Sequence, residues 1–336
     1  MQRGIAIAGN MLVDNVKAVR TYPKAGMLAD IVEVRRSVGG CVPNTLLDIA
    51  KMRSGIPLTA IGKVGRDGDG RYIIERLKED GVDVSKVVTS DTLTSFSDAM
   101  SAQDSGERTF FHFRGANAAF SPADVDLDAL DCGLLHVGYV LLLDAFDQRD
   151  GQYGTVMARF LHDAQQKGIL TSIDAVSDSE GRFAEIVTPA LRYCDYAIMN
   201  EIEGCAVSGL APRNEQGKIL VSNIEKTLRQ FIEHGVRRRA VIHCPEAGFC
   251  MDAQEGFAVV PSLDLPKGYI QGSVGAGDAF CAGCLHEIYQ GASAEQMLEY
   301  ASAAAAANLS AADSVSGMKC ETELREMMKE WRRKAL

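Results

Sequence analysis

The feature of this chain that most constrains its fold is the alternation of short apolar runs with segments of helical periodicity. Six apolar runs predict buried strands: Gly4–Gly9, Leu58–Gly65, Gly133–Val140, Gly168–Asp174, Asp195–Asn200 and Arg239–Cys244. Amphipathic segments between them predict helices that begin at Asn44, Asp69, Gly154 and Asn223. Because strands that alternate with crossover helices form parallel sheets, the pattern indicates an α/β fold.

Two stretches interrupt this alternation, at residues 10–37 and 93–114. They hold β-prone sequences such as "DIVEVRRS" and "ERTFFHFR" without a crossover helix, and they predict added antiparallel strands. Ligands of open α/β sheets bind beyond the carboxyl ends of the strands, so strands inserted there could form a lid. An edge extension that only covers apolar surface is the alternative. No linker or repeat divides the chain, and we expect one domain over residues 1–336.

Composition excludes several classes of partner. The 336 residues carry a formal net charge of -10, which opposes nonspecific binding to nucleic acid. No segment approaches the roughly 18 uninterrupted apolar residues of a membrane helix, so we expect no membrane partner. The first residues, "MQRGIAIAGN", lack the long hydrophobic region and cleavage site of a secretory signal, so we expect a cytoplasmic location. Nine scattered cysteines indicate reduced thiols. The single C-x-x-C, Cys281 and Cys284, predicts two small residues on one helix face, because no second pair or nearby histidine completes a zinc set.

The stretch "GSVGAGDAF" places glycines around a carboxylate where a helix is predicted to begin. The first amides of a helix have no internal acceptors and can bind an anion. Asp278 could be an ordinary capping residue of this turn. It could also be a general base that accepts a proton from a hydroxyl while the amides hold phosphoryl oxygens.

Other motifs stand in a fixed order with this stretch. A glycine pair and Asn44 come early, "NEIE" with Asn200 and Glu203 follows a predicted strand in mid-chain, and the G-A-G-D element comes late. Together they resemble the ribokinase-like family of carbohydrate and nucleoside kinases, also called the PfkB family, over nearly the whole chain. The resemblance implies a three-layer α/β/α sandwich with a mainly parallel central sheet and a small β-strand lid. It also implies transfer of the γ-phosphoryl group of ATP to a substrate hydroxyl.

The resemblance assigns roles by matching position. Asp278 corresponds to the catalytic base, and the backbone of Gly275, Ala276 and Gly277 corresponds to the anion hole. Asn200 and Glu203 match the element that organises Mg²⁺ and the phosphates, through water. Ser273 and Asn308 fall on the nucleotide side, where Asn308 would be a wall residue beside adenine.

The substrate side includes residues of the lid. Asp14, Gly39, Gly40 and Asn44 match the sugar-binding positions of the family. A carboxylate and an amide can pair with vicinal hydroxyls, and glycines admit a ring close to the backbone. Asn44 could instead cap its helix. Strand alternation predicts that His112 and Arg114 share a polar face, which meets either the substrate or only solvent. The role of Arg108 is open.

Two departures from the family pattern limit the resemblance. Relatives hold a monovalent cation with an aspartate and a threonine before the anion hole, where this chain has Gly272 and Ser273, so a monovalent cation is left open. Asp174 ends a predicted strand at the active edge, but the asparagine and arginine that usually follow it are absent, and its role is open too.

The leading prediction is therefore an ATP- and Mg²⁺-dependent kinase for a sugar or sugar-like substrate. A nucleoside kinase is the first alternative, because ribose presents the same hydroxyl pattern. A non-catalytic sugar-binding regulatory protein on the same fold is the second. The lid edge could pair two subunits into a homodimer.

Overall fold

The computed structural model describes residues 3–105, 107–177 and 181–336. The strands are β1 Gly4–Gly9, β2 Leu12–Val19, β3 Ile31–Gly39, β4 Leu58–Gly65, β5 Asp83–Ser90, β6 Ser95–Ala102, β7 Arg108–Phe113, β8 Cys132–Val140, β9 Arg149–Asp150, β10 Gly154–Thr155, β11 Leu170–Ala175, β12 Tyr196–Asn200, β13 Arg239–His243, β14 Ala247–Asp252 and β15 Gly256–Pro261. The helices are α1 Cys41–Met52, α2 Gly68–Glu79, α3 Gly115–Ala118, α4 Val156–Gln166, α5 Phe183–Leu191, α6 Glu201–Ser208, α7 Val221–His234, α8 Ala276–Gln290, α9 Ala294–Asn308 and α10 Glu321–Glu330.

Nine strands form the central sheet in the order β15-β14-β13-β12-β11-β8-β1-β4-β5. The seven strands from β13 to β5 pair in parallel. β14 pairs antiparallel with β13, and β15 pairs antiparallel with β14. The mainly parallel sheet predicted from the sequence is confirmed. The six predicted strands are all members of it, and β5, β14 and β15 were not predicted.

Helices cover both faces of this sheet. Strand residues alternate between two apolar cores: Ile5 and Ile7 of β1 enter one, and Ala6 and Ala8 enter the other. The first core is closed by α1, α2, α8, α9 and α10, and the second by α4, α5, α6 and α7. Full burial of both strand faces explains why these strands appear in the sequence as continuous apolar runs. The predicted three-layer sandwich is confirmed.

A second sheet of four strands, in the order β3-β2-β6-β7, forms the lid. It comes from the two stretches that interrupt the strand–helix alternation. The prediction of antiparallel strands is correct for the pairs β2–β3 and β6–β7, but β2 and β6 run parallel. The reason is topological, because β2 and β6 both leave the carboxyl edge of the central sheet, directly after β1 and soon after β5.

Helix α1 begins at Cys41, three residues before the predicted start. Gly40 is its N-cap, with φ of 88°, a left-handed conformation that suits glycine. Pro43 is tolerated because the first turn of a helix needs no amide donor. Asn44 therefore lies inside the first turn and not at the cap, and its side chain is free to reach across to another element.

No helix in the described parts of the chain is long and apolar enough to cross a membrane.

Candidate active site

A cavity of about 240 Å³ opens at the carboxyl ends of the central strands. Its polar lining includes Tyr139 from β8, Asp174 from β11, Asn200 and Glu203 at the β12–α6 junction, His243 from β13, and Asp278 with Gly275 and Gly277 at the start of α8. We call it the Asp278 cavity. Parallel strands bring their carboxyl ends to one edge, so residues distant in sequence converge there.

Asp278 lies in the first turn of α8 and is only 8% exposed. Tyr139 donates its hydroxyl to Asp278 Oδ1 at 2.7 Å, and the Asn44 side-chain amide donates to Oδ2 at 2.9 Å. Burial raises the pKa of Asp278 to about 6, although the two hydrogen bonds act in the opposite direction. A carboxylate with a pKa just below neutrality is mostly ionised at pH 7 and still able to take up a proton.

The backbone before Asp278 turns sharply. Gly275 has φ of 78°, and a Cβ there would come within 2.6 Å of Ser314, so this position requires glycine. The first amides of α8 have no acceptors within the helix. The amide of Ala276 makes a long contact of 3.4 Å with the carbonyl of Ser273. The backbone amides of this turn lie at the positive end of the helix dipole.

Asn44 connects α1 to Asp278. Its amide nitrogen donates to Asp278, and its carbonyl oxygen accepts from Ser314 Oγ at 2.8 Å. Asn44 is buried, so these two hydrogen bonds fix the orientation of its amide. The residue predicted to contact substrate is thus also a positioning partner of Asp278, a role that the sequence did not reveal.

Asp14 is the lid residue that faces this region. Burial, followed by the charge of Asp278, raises its pKa to about 7. A Cβ on Gly39 would lie 2.1 Å from Asp14 Oδ2, and a Cβ on Gly40 would lie 2.5 Å from the carbonyl oxygen of Asn10. Both predicted glycines are therefore places of close approach. The side chain of Asn10 is buried beside Gly40 and, in the described structure, both its polar atoms lack a partner.

A polar row crosses the lid beside Asp14. The strand register aligns Ser37, Asp14, Ser97 and His112 on successive strands. Cross-strand neighbours share one face of a sheet, so these four polar side chains lie on one face of the lid. Arg114, predicted to share that face with His112, lies beyond the end of β7. The hydroxyl of Ser97 lies 2.9 Å from His112 Nδ1. Burial and the charge of Arg114 lower the pKa of His112.

Arg114 lies just beyond β7 and pairs with Asp144, with Nη1 2.7 Å from Oδ1. Both side chains are partly exposed, so the pair is worth little stability by itself. The guanidinium is not committed to a buried network and keeps donors for another partner. The side chain of Arg108 lies outside the described residues.

Asn200 and Glu203 form a capping box at the start of α6. Asn200 Oδ1 accepts from the amides of Ile202 and Glu203, and Glu203 Oε2 accepts from the amide of Asn200. The other oxygen of Glu203 accepts from Ser177 Oγ at 3.0 Å. Burial raises the pKa of Glu203 to about 8. The N-x-x-E pattern therefore has a structural use, and it also places a buried carboxyl in the Asp278 cavity.

A second cavity of about 450 Å³ adjoins the first and shares Asn200, His243 and Gly277 with it. We call it the Phe280 cavity. Its apolar lining includes Pro245, Leu263, Leu265, Ile270, Phe280, Ala305, Ala306 and Leu309. Ser273 lines it as well. Asn308 is not among the described residues that line it, because its buried amide turns to the carbonyl of Ser314.

Position 272 explains one departure from the family pattern. A Cβ on Gly272 would lie 2.9 Å from the carbonyl oxygen of Ala311 and 3.0 Å from Ala312. The loop before α8 is therefore packed against the loop after α9. An aspartate at this position would require backbone movement, which agrees with the absence of the charged ligand noted in the sequence.

Three residues of the site were not predicted from the sequence: Tyr139, Ser177 and His243. Tyr139 and His243 lie at the ends of predicted strands, which is the one signal that could have found them. His243 stacks on Phe280 with ring centroids 4.7 Å apart, and burial lowers its pKa to about 4, so the ring is neutral. It stands between the two cavities.

The sequence of the chain is similar to those of known proteins. The family model described as pfkB family carbohydrate kinase matches residues 3–319. A bifunctional ribokinase/ribose-5-phosphate isomerase A of Fructilactobacillus sanfranciscensis is 24% identical over 276 residues, covering 82% of this chain. The match covers 47% of that relative, so the chain spans about half its length. A 2-dehydro-3-deoxygluconokinase of Bacillus subtilis is 23% identical, with 89% of each chain covered.

A solved structure shares the architecture. Arabidopsis thaliana ribokinase complexed with ribose and ATP superimposes with a TM-score of 0.80 at 19% identity, covering 98% of this chain and 99% of that one. The two proteins therefore share the three-layer fold with a lid sheet. The chain belongs to the pfkB family of carbohydrate kinases. The family and the enzyme class predicted from the sequence, ATP-dependent carbohydrate kinase, are confirmed at the level of the family.

Proposed function

We propose that this protein transfers the γ-phosphoryl group of ATP to a hydroxyl of a sugar or sugar-like substrate, with Asp278 as the general base. The observation that carries the proposal is the buried Asp278 carboxylate, with its pKa near 6, at the amino end of α8. Tyr139 and Asn44 hold one oxygen each, so the carboxylate is fixed in one orientation. Accepting the hydroxyl proton as the new oxygen–phosphorus bond forms is the role that suits such a group.

The backbone of Gly275, Ala276 and Gly277 is proposed as the anion hole. Helix amides that point at the transferring oxygens stabilise charge without reorganising during the reaction. The adjoining Phe280 cavity, largely apolar, fits the adenine of ATP, with Ser273 at the phosphate side. Asn308 would act there only by shaping the end of α9.

Asn200 and Glu203 are proposed to hold Mg²⁺ through water. Both oxygens of Glu203 and the side-chain oxygen of Asn200 already accept hydrogen bonds from the protein, which favours contact with the ion through water over direct ligation. Mg²⁺ keeps several waters in most protein sites, so the residues present fit. When bound, the ion would neutralise phosphate charge.

The lid and α1 are proposed to bind the sugar. Asp14 offers a carboxyl, Gly39 and Gly40 leave room for the Asp14 side chain and the Asn10 backbone, and the row containing Ser97 and His112 offers further polar atoms. Arg114 is proposed as a contact for an acidic substrate. The nucleoside kinase alternative keeps the same hydroxyl contacts.

The lid is also proposed to join two subunits. Val34, Phe111 and Phe113 lie on the face opposite the Asp14 row and are 63%, 59% and 40% exposed. Exposed apolar side chains on the two edge strands of the lid, β3 and β7, favour association with a second copy, and Lys17 and Asp98 lie between them on the same face.

A screen of ATP consumption across sugars, sugar acids and nucleosides tests the proposal. We expect turnover with one carbohydrate class, and NMR of the product identifies the phosphorylated hydroxyl. Turnover with nucleosides alone would favour the alternative kinase. Binding of a sugar without phosphorylation of any acceptor would contradict the proposal and favour the regulatory protein.

A further inference from the structure

A buried cluster of three different side chains lies beneath the Asp278 cavity, and the proposed phosphoryl transfer does not use it. His136 of β8, Asp174 of β11 and Cys281 of α8 present ligand atoms that all lie within 4.8 Å of one another. His136 is fully buried, and Asp174 and Cys281 line the cavity. The C-x-x-C spacing predicted only packing for Cys281, because both partners come from strands distant in the sequence.

The distances from His136 to the other two ligand atoms match those of a metal site. His136 Nε2 lies 3.5 Å from Asp174 Oδ2 and 3.7 Å from Cys281 Sγ. Usual bond lengths around tetrahedral zinc place a nitrogen about 3.4 Å from an oxygen ligand and about 3.6 Å from a sulfur ligand. The two distances from His136 therefore suit one ion, and the Asp174 oxygen and Cys281 Sγ, which lie within 4.8 Å of each other, must stand about 3.5 Å apart when the ion contacts all three atoms.

Two further features point to a ligand. Asp174 Oδ1 is buried without a hydrogen-bond partner in the described structure, and the whole residue is only 7% exposed. His136 Nδ1 lies 3.0 Å from Ser172 Oγ. In the tautomer whose Nδ1–H donates to Ser172 Oγ, Nε2 carries no proton and presents its lone pair to the cluster. This is the usual arrangement around ligating histidines.

We propose that His136, Asp174 and Cys281 bind one zinc-like divalent ion, with the cavity supplying water as a fourth ligand. Thiolate, imidazole and carboxylate together select borderline ions, whereas Mg²⁺ prefers sets of oxygens. Binding forms a sulfur–metal bond and releases the thiol proton to the buffer, with no change of oxidation state. Because Asp278 is one helical turn from Cys281, the ion also lowers kinase turnover; this second consequence rests on the proposed function.

Co²⁺ is the probe, because its thiolate complexes absorb light whereas those of Zn²⁺ do not. All nine cysteines lie in the described part of the chain, and Cys320 is the one that is only half-buried, so every protein carries Cys320→Ser. The chelator-treated protein should bind one equivalent of Co²⁺ with a thiolate-to-metal absorption band. Excess Mg²⁺ should leave the band in place, and Zn²⁺ should displace it.

The variants distinguish this site from nonspecific binding of Co²⁺ by other thiols. Cys281→Ser should abolish the band and weaken Co²⁺ binding at least about tenfold. Cys284→Ser changes a buried cysteine one turn further along α8 and should retain both the absorption band and the affinity for Co²⁺. His136→Gln is the second variant if Cys281→Ser does not fold by circular dichroism. A band that persists in Cys281→Ser, or that Cys284→Ser also loses, would overturn the proposal.

A measurement on the protein without these variants stands by itself. X-ray absorption of the Zn²⁺-loaded protein should show one sulfur and two or three nitrogen or oxygen ligands. No sulfur, or two or more, contradicts the site. Reversible inhibition by Zn²⁺ in excess Mg·ATP is a separate readout, so a failed kinase assay leaves the binding result intact.

Discussion

Among single residues, Asp278 matters most to the proposed reaction, and its activity depends on how its carboxylate is held. Its carboxylate accepts from Tyr139 at 2.7 Å and from Asn44 at 2.9 Å, and both donors stabilise the ionised form against the effect of burial. Because the base must be ionised to accept a proton, kcat/KM should rise with pH through a pKa near 6.

Tyr139→Phe should move this acidic limb upward. Loss of one hydrogen bond to the carboxylate raises the folded-state pKa by about one unit, so activity at pH 6 falls more than activity at pH 8. Tyr300→Phe is the matched control, since the buried hydroxyl of Tyr300 lacks a hydrogen-bond partner in the described structure. The measurement is the pH profile of kcat/KM. An unshifted limb in Tyr139→Phe would mean that another group sets it.

At the scale of elements, the start of α6 has two uses that a substitution can separate. Serine is as good an N-cap as asparagine, but its shorter side chain carries no amide into the Asp278 cavity. Asn200→Ser should therefore keep the melting temperature nearly unchanged and raise KM for Mg·ATP several-fold. Asn200→Ala should lose about 1 kcal/mol of stability as well. If Asn200→Ser changes neither property, Asn200 is a cap and nothing more.

The elements also show what the sequence can predict. Strands buried on both faces, such as β1 and β12, are continuous apolar runs and were predicted. β5 was missed because its residues are only partly buried and polar side chains interrupt the pattern. Asn44 and Asp278, or Asn200 and Glu203, were found as motifs. The contacts of Tyr139 and His243 with those motifs depend on the order of strands in the sheet, which no local pattern contains.

At the scale of the whole molecule, the exposed lid face predicts a dimer. Paired substitutions Val34→Asp and Phe111→Asp replace exposed apolar side chains on both edge strands of the lid, on the face opposite the Asp14 row, and should give monomers that keep their fold. Leu336→Asp, at another exposed apolar residue, should leave the dimer intact. Light scattering after size exclusion measures the mass. A wild-type protein that is monomeric at every assay concentration would contradict the lid interface.

The proposed reaction requires Asp278 to take the proton of the acceptor hydroxyl, and the substitution Asp278→Asn removes this ability. With the acceptor identified by the screen, we expect phosphoryl transfer to fall by about 10² to 10⁴ while the folded structure and ATP binding persist. Asp48→Asn is the control, because Asp48 is a buried carboxyl of α1 that makes no hydrogen bond in the described structure and lines neither cavity. Near-normal single-turnover rates in Asp278→Asn, measured beside Asp48→Asn, would contradict the account.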